Sequence, residues 1–294
     1  MSDLQPFTDS SDLLGQPAAL RARMQQDGYL FMPGLLPTSA VQEVYTAIMA
    51  ICQACGWADS AGHAQGPARI EGAPEFWEVY DRVQRLEVFH AFAHRPELLQ
   101  MIEVLVQDQP FLHPRNISRI TFPQTEQFTT PPHQDYVHIQ GTPDVYTTWI
   151  PLSNCPLALG GVAVLAGSHT HSILPVHKAN GAGGLGVDTD ELDLVWHTSD
   201  YHAGDVLLFH SHTVHKGLPN RTTDQLRISV DYRYQGLKGA IVEDGLIPHY
   251  NRLTWEEIYQ GWKSTDFQYY WRDLPLQTVT RDRSYHQNAK PQMM

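Results

Sequence analysis

The sequence predicts a mainly β fold, with an antiparallel barrel or sandwich at its centre and helices packed outside it. Two features support this prediction. Apolar residues recur at helical spacing through about the first hundred positions, whereas short β-type runs separated by Gly, Pro and Asn follow from residue 110 onwards. The chain contains no internal repeat and no low-complexity linker. We therefore predict that residues 1–294 form a single domain.

The amino-terminal part is predicted to be a flexible tail over residues 1–15, followed by a helical layer. The stretch PAALRARMQQDG has proline near its start and Gly28 as its carboxyl-terminal cap. A short apolar strand, YLFMPGLL, comes next. TSAVQEVYTAIMAICQAC is predicted to be a helix with Thr38 or Ser39 as N-cap. Two further helical patterns lie in EFWEVYDRVQRLEVFHAF and PELLQMIEVLVQ.

The later part of the chain carries the predicted strands. They are RNISRITF, DYVHI, VYTTWIPL, GVAVLAG, DVLLFHS and RISVDYRY. Residues 176–203, with NGAGGLGVD at the centre, are rich in glycine and are predicted to form a mobile loop, and loops of this kind often cover a ligand. Past residue 245 the sequence predicts a helix and an aromatic-rich tail that serves mainly in packing.

Composition limits the classes of partner. The formal net charge is −12, which argues against nucleic acid because a nucleic-acid binder needs a basic face. No window approaches 18 uninterrupted apolar residues, so no membrane span is expected, and the acidic, polar start does not resemble a signal peptide. Three cysteines do not make a disulfide framework. We expect a cytoplasmic protein that acts on a small molecule, in an oligomeric state that the sequence leaves open.

The segment PPHQDYVHI raises the question of a metal site. On a strand, residues two apart point to the same face, so His133 and Asp135 would enter one site together. Two imidazoles and one carboxylate suit Fe(II) and leave coordination positions open. A histidine and an aspartate at this spacing also occur by chance, and the alternative interpretation is a polar strand end.

A third ligand must come from further along the chain. GDVLLFHSHTVHKGLPN offers His210, His212 and His215. His215 is predicted to stand at the far end of the apolar strand VLLF, before the turn residues that follow. His210 and His212 are its rivals, with polar strand positions as their alternative interpretation. The pattern alone does not choose among the three.

A carboxylate-binding pair follows on the next predicted strand. Arg227 and Ser229 share one face of RISVDYRY, where an arginine fork and a hydroxyl would hold a small dicarboxylate. The alternative for an isolated arginine is a surface salt bridge. Beside a metal face with open positions, such a pair favours a 2-oxoacid cosubstrate.

These motifs together resemble the phytanoyl-CoA dioxygenase (PhyH-like) family of Fe(II)- and 2-oxoglutarate-dependent oxygenases. The resemblance runs through DGYLFMPGLLP, HQD at 133–135, TTWIPLSNCPLALGGVAVLAGSH at 147–169, AGDVLLFHSHTVHKGLPN and RIS at 227–229. Two positions depart from the family pattern. Pro132 replaces an aromatic residue before the iron motif, and Ala166 replaces a proline before Gly-Ser-His.

The resemblance implies a double-stranded β-helix (jelly-roll) core with an amino-terminal helical layer. It assigns Fe(II) to His133, Asp135 and His215, and thereby prefers His215 to its rivals. It implies O2 as co-reactant and the conversion of 2-oxoglutarate to succinate and CO2 while a metabolite is hydroxylated. Related halogenases lack the carboxylate, so Asp135 favours hydroxylation or desaturation over halogenation. No side-chain general base is implied.

The resemblance also assigns the cosubstrate. It places the far carboxylate of 2-oxoglutarate on Arg227, with Ser229 in support. Trp149 is predicted to flank this site, with a plain core position as the alternative. Arg119, in ISRITF, is a candidate contact to the cosubstrate or to an acid group of the substrate, with a solvent-facing position as the alternative.

Two rival functions remain open. The first is a metal-dependent cupin-like hydrolase or isomerase that uses the same triad without 2-oxoglutarate and has no need of Arg227. The second is a barrel that binds a metabolite without catalysis. Dependence on the cosubstrate separates the oxygenase from both. Fold resemblance does not fix the substrate.

Overall fold

The computed structural model describes residues 4–290, in which a helical layer covers one of two antiparallel sheets. The helices are α1 (Pro17–Asp27), α2 (Thr38–Ala54), α3 (Pro74–Gln84), α4 (Glu87–Phe92), α5 (Pro96–Val106), α6 (Tyr136–Ile139), α7 (Trp255–Tyr259) and α8 (Ser284–Gln287). The strands are β1 (Tyr29–Met32), β2 (Pro110–Leu112), β3 (Ile117–Thr121), β4 (His133–Gln134), β5 (Val145–Pro151), β6 (Val162–Leu165), β7 (Val176–Lys178), β8 (Leu185–Val187), β9 (Trp196–His197), β10 (Val206–His210), β11 (Val214–Gly217), β12 (Arg227–Gly236), β13 (Ala240–Val242) and β14 (Gln277–Val279).

Two antiparallel sheets hold the site between them. The larger sheet has six strands in the order β1-β10-β5-β12-β2, with β3 also paired to β12. The smaller sheet has four strands in the order β4-β11-β6-β9. β7 pairs with β8 as a separate hairpin, and β13 pairs in parallel with β14. The predicted mainly β fold with helices outside is confirmed.

Strands of the larger sheet are buried on both faces. In β10, Leu208 joins the core beneath the helical layer, whereas Leu207 and Phe209 join the core between the two sheets. Side chains alternate across a strand, so one apolar run supplies both layers. Helices α1 to α5 complete the outer core with residues such as Ile48 of α2 and Ile102 of α5.

The prediction of a flexible tail over residues 1–15 is wrong for residues 4–15. Gln5 donates its backbone N–H to the carbonyl of Trp196 at 2.9 Å, and Phe7 is buried in the core between the sheets. The aromatic ring of Phe7 provides apolar area that packing against β1 removes from water. Residues 1–3 lie outside the described residues.

Three local predictions also need correction. DYVHI is not a strand, because residues Tyr136–Ile139 form helix α6. Neither Thr38 nor Ser39 caps α2, since Pro37 holds the N-cap position without a side-chain hydrogen bond. The segment 176–203 is not an irregular loop but contains β7, β8 and β9. The stretches beside these strands, 179–184, 188–195 and 198–203, lie outside any helix or strand.

The glycine-rich turn at 179–184 and the carboxyl-terminal segment together cover one opening between the sheets. Gly181 approaches the backbone of Thr129 so closely that a Cβ there would lie 2.5 Å from its carbonyl oxygen. Lys178 donates its N–H to the carbonyl of Lys290 at 2.7 Å, and Gln140 donates to the carbonyl of Asp282 at 2.7 Å. The end of the described chain is therefore tied to the wall of the site.

Candidate active site

Three side chains meet at the edge of the four-stranded sheet. The ligand atoms of His133, Asp135 and His215 all lie within 4.8 Å of one another, and all three residues are buried. The Oδ1 atom of Asp135 is 3.7 Å from Nε2 of His133 and 3.9 Å from Nε2 of His215. Within the described chain, no other group of three or more His, Cys, Asp or Glu side chains has this geometry.

Hydrogen bonds fix both imidazoles in one orientation. Nδ1 of His133 donates to the carbonyl of Pro131 at 2.8 Å, and Nδ1 of His215 donates to the carbonyl of Thr213 at 3.0 Å. A carbonyl oxygen can only accept, so the proton sits on Nδ1 and Nε2 keeps its lone pair. Burial, together with neighbouring His133, lowers the pKa of His215 to about 3. Both Nε2 atoms are thus arranged as ligands to a cation.

The carboxylate of Asp135 is clamped from the six-stranded sheet. Thr147 donates to its Oδ2 at 2.6 Å, while Arg233 donates through Nε to Oδ2 at 3.3 Å and through Nη2 to Oδ1 at 3.2 Å. Thr147 and Arg233 are direct cross-strand partners on β5 and β12. Burial would raise the pKa of Asp135, but Arg233 and the two imidazoles outweigh it and hold that pKa well below its usual range.

The triad is not built as the sequence predicts. His133 lies on β4, but Asp135 has helical dihedral angles (φ −60°, ψ −30°) and precedes α6. The two side chains converge because the chain turns, not because they alternate along one strand. His215 does not end the VLLF strand either, since the chain crosses to the other sheet after His210. There His215 on β11 pairs directly with His133.

The glutamine between the two ligands has a structural role. Gln134 is fully buried. Its amide donates to the carbonyl of His212 at 2.9 Å and accepts the N–H of Leu174 at 2.8 Å. Paired on both sides, this side chain fixes β4 against its neighbours and so sets the position of the flanking ligands.

The rival histidines lie outside this cluster. Nε2 of His210 is 3.6 Å from Oδ1 of Asp144, and the ring of His212 lies edge-on to Tyr136 with centroids 5.0 Å apart. His210 is the last residue of β10, and His212 lies in the connection between β10 and β11. Of the three candidates, only His215 is brought beside His133 and Asp135.

A second group of polar atoms lies beside the triad on β12. Arg227 is buried and donates from Nη2 to Oγ1 of Thr121 at 2.6 Å. Its guanidinium lies 5.8 Å from the ring centroid of Trp149. In this group Nε of Arg227, Oγ of Ser229 and Nε1 of Trp149 are buried and have no hydrogen-bond partner among residues 4–290. Buried polar groups are normally paired, so unpaired ones indicate a place for a polar ligand.

Arg119 does not face solvent, so the alternative interpretation of this residue is wrong. Its Nε donates to Oδ2 of Asp231 at 2.6 Å, and its side chain is 25% exposed. The other carboxylate oxygen of Asp231 is buried without a partner among the described residues. Arg119 lines the small cavity between Arg227 and the triad, and it also lines both larger cavities outside. Arg119 therefore lies at the boundary between the small inner cavity and the two larger outer cavities.

Two larger cavities open from this centre. One, of about 440 Å³, contains His133 and Asp135 in its wall, and the other, of about 390 Å³, contains Arg227. They share residues Glu71, Ile117, Arg119, Ala182 and Tyr250. Ala182 belongs to the glycine-rich turn, so the segment predicted to cover a ligand does line the site, although its mobility remains a prediction.

Several residues of the site were not found from the sequence. Asp231 and Arg233 follow Arg227 and Ser229 at two-residue spacing, and this alternation in RISVDYRYQ was an available signal. Arg115 and Arg281 line the larger cavity, together with the imidazoles of residues 113, 249 and 286. Arg281 comes from the carboxyl-terminal segment, and no local pattern indicates that this segment returns to the site.

The comparisons with known proteins agree with this architecture. The family model "Phytanoyl-CoA dioxygenase (PhyH)" matches residues 24–229. The chain belongs to this family. Accordingly it is an Fe(II)- and 2-oxoglutarate-dependent dioxygenase, with O2 as co-reactant. The resemblance inferred from the motifs is confirmed.

Similar proteins act on small molecules. The 1-deoxypentalenic acid 11-beta-hydroxylase of Streptomyces exfoliatus is 28% identical over 248 residues, covering 79% of this chain and 86% of that protein. The hydroxylase of the same name from Streptomyces arenae is 29% identical over 246 residues, covering 78% and 84%.

Solved structures support the fold. The epimerase SnoN from nogalamycin biosynthesis, in complex with Fe3+, alpha ketoglutarate and nogalamycin RO, has a TM-score of 0.57 at 22% identity and covers 78% of this chain and 86% of its own. The carbocyclase SnoK has a TM-score of 0.55 at 21% identity, covering 85% and 94%. In the described part of this chain, no helix has the length and apolar character needed to cross a membrane.

Proposed function

We propose that this dioxygenase hydroxylates a small-molecule metabolite, with Fe(II) held by His133, Asp135 and His215. The supporting observation is the convergence of three ligand atoms within 4.8 Å, with both imidazoles oriented so that Nε2 faces the carboxylate. Two imidazoles and one carboxylate are the facial set of non-haem iron oxygenases. The two sheets correspond in this proposal to the halves of a double-stranded β-helix, and residues 1–294 to one domain.

The cosubstrate is assigned to the β12 side of the triad. Arg227 and Ser229 would bind the far carboxylate of 2-oxoglutarate, and Trp149 would flank it. The unpaired buried atoms of these three residues fit a polar ligand there. Arg119 would form the boundary between the cosubstrate and the substrate cavity. Bound iron and 2-oxoglutarate supply O2 activation, in which succinate and CO2 form and a substrate C–H becomes C–OH.

The chain itself provides positioning and charge. Arg233 and Thr147 keep Asp135 ionised and in one orientation, as partners behind a metal ligand generally do. The cavity beside His133 and Asp135 would hold the substrate. Its wall presents Ile117, Ile139 and Ile241, which exclude water from the face where the substrate carbon would lie.

An anaerobic Fe(II) titration tests this function, with and without 2-oxoglutarate, followed by visible absorbance. A weak charge-transfer band should require iron and cosubstrate together. His215→Ala should abolish the band, whereas His210→Ala should keep it, because His210 lies beside Asp144 and away from the triad. Tight iron binding without such a band would support the cosubstrate-free hydrolase instead. If iron is not bound, the metal assignment is wrong.

A further inference from the structure

The cavity beside the triad is rich in arginine. Its wall contains Arg115, Arg119, Arg233 and Arg281. Three of these cations have a carboxylate of their own. Arg119 bonds to Asp231, Arg233 bonds to Asp135, and Arg281 bonds to Asp244 at 3.0 Å.

Arg115 has no carboxylate partner among residues 4–290. Its Nε donates to the carbonyl of Ile247 at 3.2 Å, and its Nη2 donates to the carbonyl of Asp244. These two backbone acceptors fix the guanidinium without neutralising it. The carboxylate of Asp244 acts on Arg115, but it is bonded to Arg281, so one carboxylate is shared by two cations. Burial, with Arg281 adding to it, lowers the pKa of Arg115 to about 10, as expected for a cation short of counter-charge.

The other side chains of the cavity wall do not supply the negative charge that Arg115 lacks. Burial lowers the pKa of His113 to about 4, so this imidazole is neutral near pH 7 and adds no charge. Glu71 is a counter-charge of Arg119, whose pKa it helps to raise, and it also raises the pKa of Tyr250. The remaining wall around Arg115 includes Ile241 and Ile247, which are apolar.

The excess of positive charge remains when Fe(II) and 2-oxoglutarate are included in the count. Five arginines, counting Arg227, and Fe(II) carry seven positive charges, whereas Glu71, Asp135, Asp231 and Asp244 with doubly charged 2-oxoglutarate carry six negative ones. One positive charge is therefore left for the substrate to meet. An arginine oriented by backbone acceptors presents its free edge to a carboxylate at low conformational cost.

We propose that Arg115 is the anchor for a carboxylate of the substrate, and that the substrate is an apolar scaffold carrying one acid group. The inference rests on the proposed function, because it takes the cavity beside the triad as the substrate site. The acid binds at Arg115 between the Ile241 and Ile247 side of the wall and the Arg281–Asp244 pair. The apolar body then extends towards His133 and Asp135, where the C–H bond to be oxidised would lie.

The experiment is an anaerobic calorimetric titration of the protein carrying Fe(II) and 2-oxoglutarate. The probes are cyclohexanecarboxylate, 1-adamantanecarboxylate and dehydroabietate, each compared with its methyl ester. At least one acid should bind, and its ester should bind about 30-fold more weakly, the loss expected when a charge-assisted hydrogen bond is removed. If no acid binds, or if every ester binds as well as its acid, the proposal is wrong.

Variants assign the effect to Arg115. Arg115→Met should weaken acid binding about 30-fold, and Arg115→Lys should restore part of it. Arg252→Met is the matched control, since Arg252 pairs with Asp81 outside the cavity. Asp244→Asn should instead tighten acid binding, because it removes the shared negative charge. Unchanged acid binding in Arg115→Met would overturn the proposal.

The iron and cosubstrate band separates this proposal from the proposed function. A normal band in Arg115→Met confirms that the variant is folded and that its site is loaded. A normal band with acid binding independent of Arg115 defeats only the substrate inference. If wild type shows no band, acid binding is measured on the metal-free protein. Binding that still depends on Arg115 then supports the acid site and defeats only the oxygenase assignment.

Discussion

The two faces of strand β12 are equally buried but differ in role: one packs against the helical layer, and the other carries polar residues beside the candidate site. From Arg227 to Gln235, its even-numbered residues are Ile228, Val230, Tyr232 and Tyr234, which pack under the helical layer. Its odd-numbered residues are Arg227, Ser229, Asp231, Arg233 and Gln235, which lie on the opposite face; of these, Arg227, Asp231 and Arg233 line the small cavity between the sheets. None of the nine is more than 7% exposed. Burial alone therefore does not distinguish the packing face from the functional face.

Hydrogen-bond pairing does distinguish them. On the packing face, the hydroxyls of Tyr232 and Tyr234 each donate to a helix-layer carbonyl at 2.7 Å. On the other face, Arg233 is paired, yet Nε of Arg227 and Oγ of Ser229 lack partners among the described residues. Structural polar groups in a core are satisfied, whereas a binding site leaves polar groups open for its ligand.

The largest expected effect comes from the functional face. Arg227→Met should raise the apparent 2-oxoglutarate requirement about 100-fold, because the proposed charge-assisted bonds from Arg227 to the far carboxylate would be lost. The measurement is the dependence of succinate release on 2-oxoglutarate concentration, with unfolding followed in parallel. An unchanged requirement would show that Arg227 is not the clamp.

The adjacent residue on the packing face gives the matched contrast. Ile228→Ala should lower the free energy of unfolding by roughly 2–5 kcal/mol, since it removes buried methyl groups and leaves a cavity. The 2-oxoglutarate requirement of the folded variant should stay near that of wild type. Denaturant unfolding and the same succinate assay check both parts. A large cosubstrate effect would mean that the two faces are not independent.

Protonation of His90 in helix α4 should affect only the stability of the fold. Burial lowers the pKa of His90 to about 4, and its Nε2 donates to the carbonyl of Gln84. The unfolded chain takes up this proton first as pH falls below about 6.5, so the contribution is present above that pH and is lost towards pH 4. His90→Gln should reduce the stability loss between these pH values by about 3 kcal/mol. Equal losses in wild type and variant, by thermal unfolding, would contradict this.

The smallest effect is expected from a single hydroxyl. Tyr232→Phe leaves the carbonyl of Phe89 without its partner and should cost about 1–2 kcal/mol of unfolding free energy. Chemical denaturation measures it, and 2-oxoglutarate turnover should be unaltered. A loss of turnover greater than the loss of stability would make the packing face part of the functional machinery.

Much of the outer architecture was predictable. Helix α1 ends at Gly28, whose φ of 76° is the left-handed conformation that glycine adopts readily. The strands β5, β10 and β12 are continuous apolar or alternating runs, and the sequence predicts them for that reason. DYVHI was misassigned because a short apolar run does not distinguish a strand from one helical turn. The docking of residues 4–15 was missed because it depends on one buried ring, Phe7, and on backbone hydrogen bonds such as that from Gln5 to Trp196, which no local pattern indicates.

The sequence by itself determined the residue types of the site and their order: a histidine, an aspartate, a distant histidine, and an arginine with a serine two positions on. Local pattern did not choose among His210, His212 and His215; the family resemblance preferred His215, and the tertiary structure brings it beside His133 because the chain crosses between sheets after His210. Only the tertiary structure gave Asp135 its partners Thr147 and Arg233 and brought Arg281 to the cavity. Local patterns report which face of an element is buried, whereas pairings across the fold depend on how sheets and terminal segments meet in space.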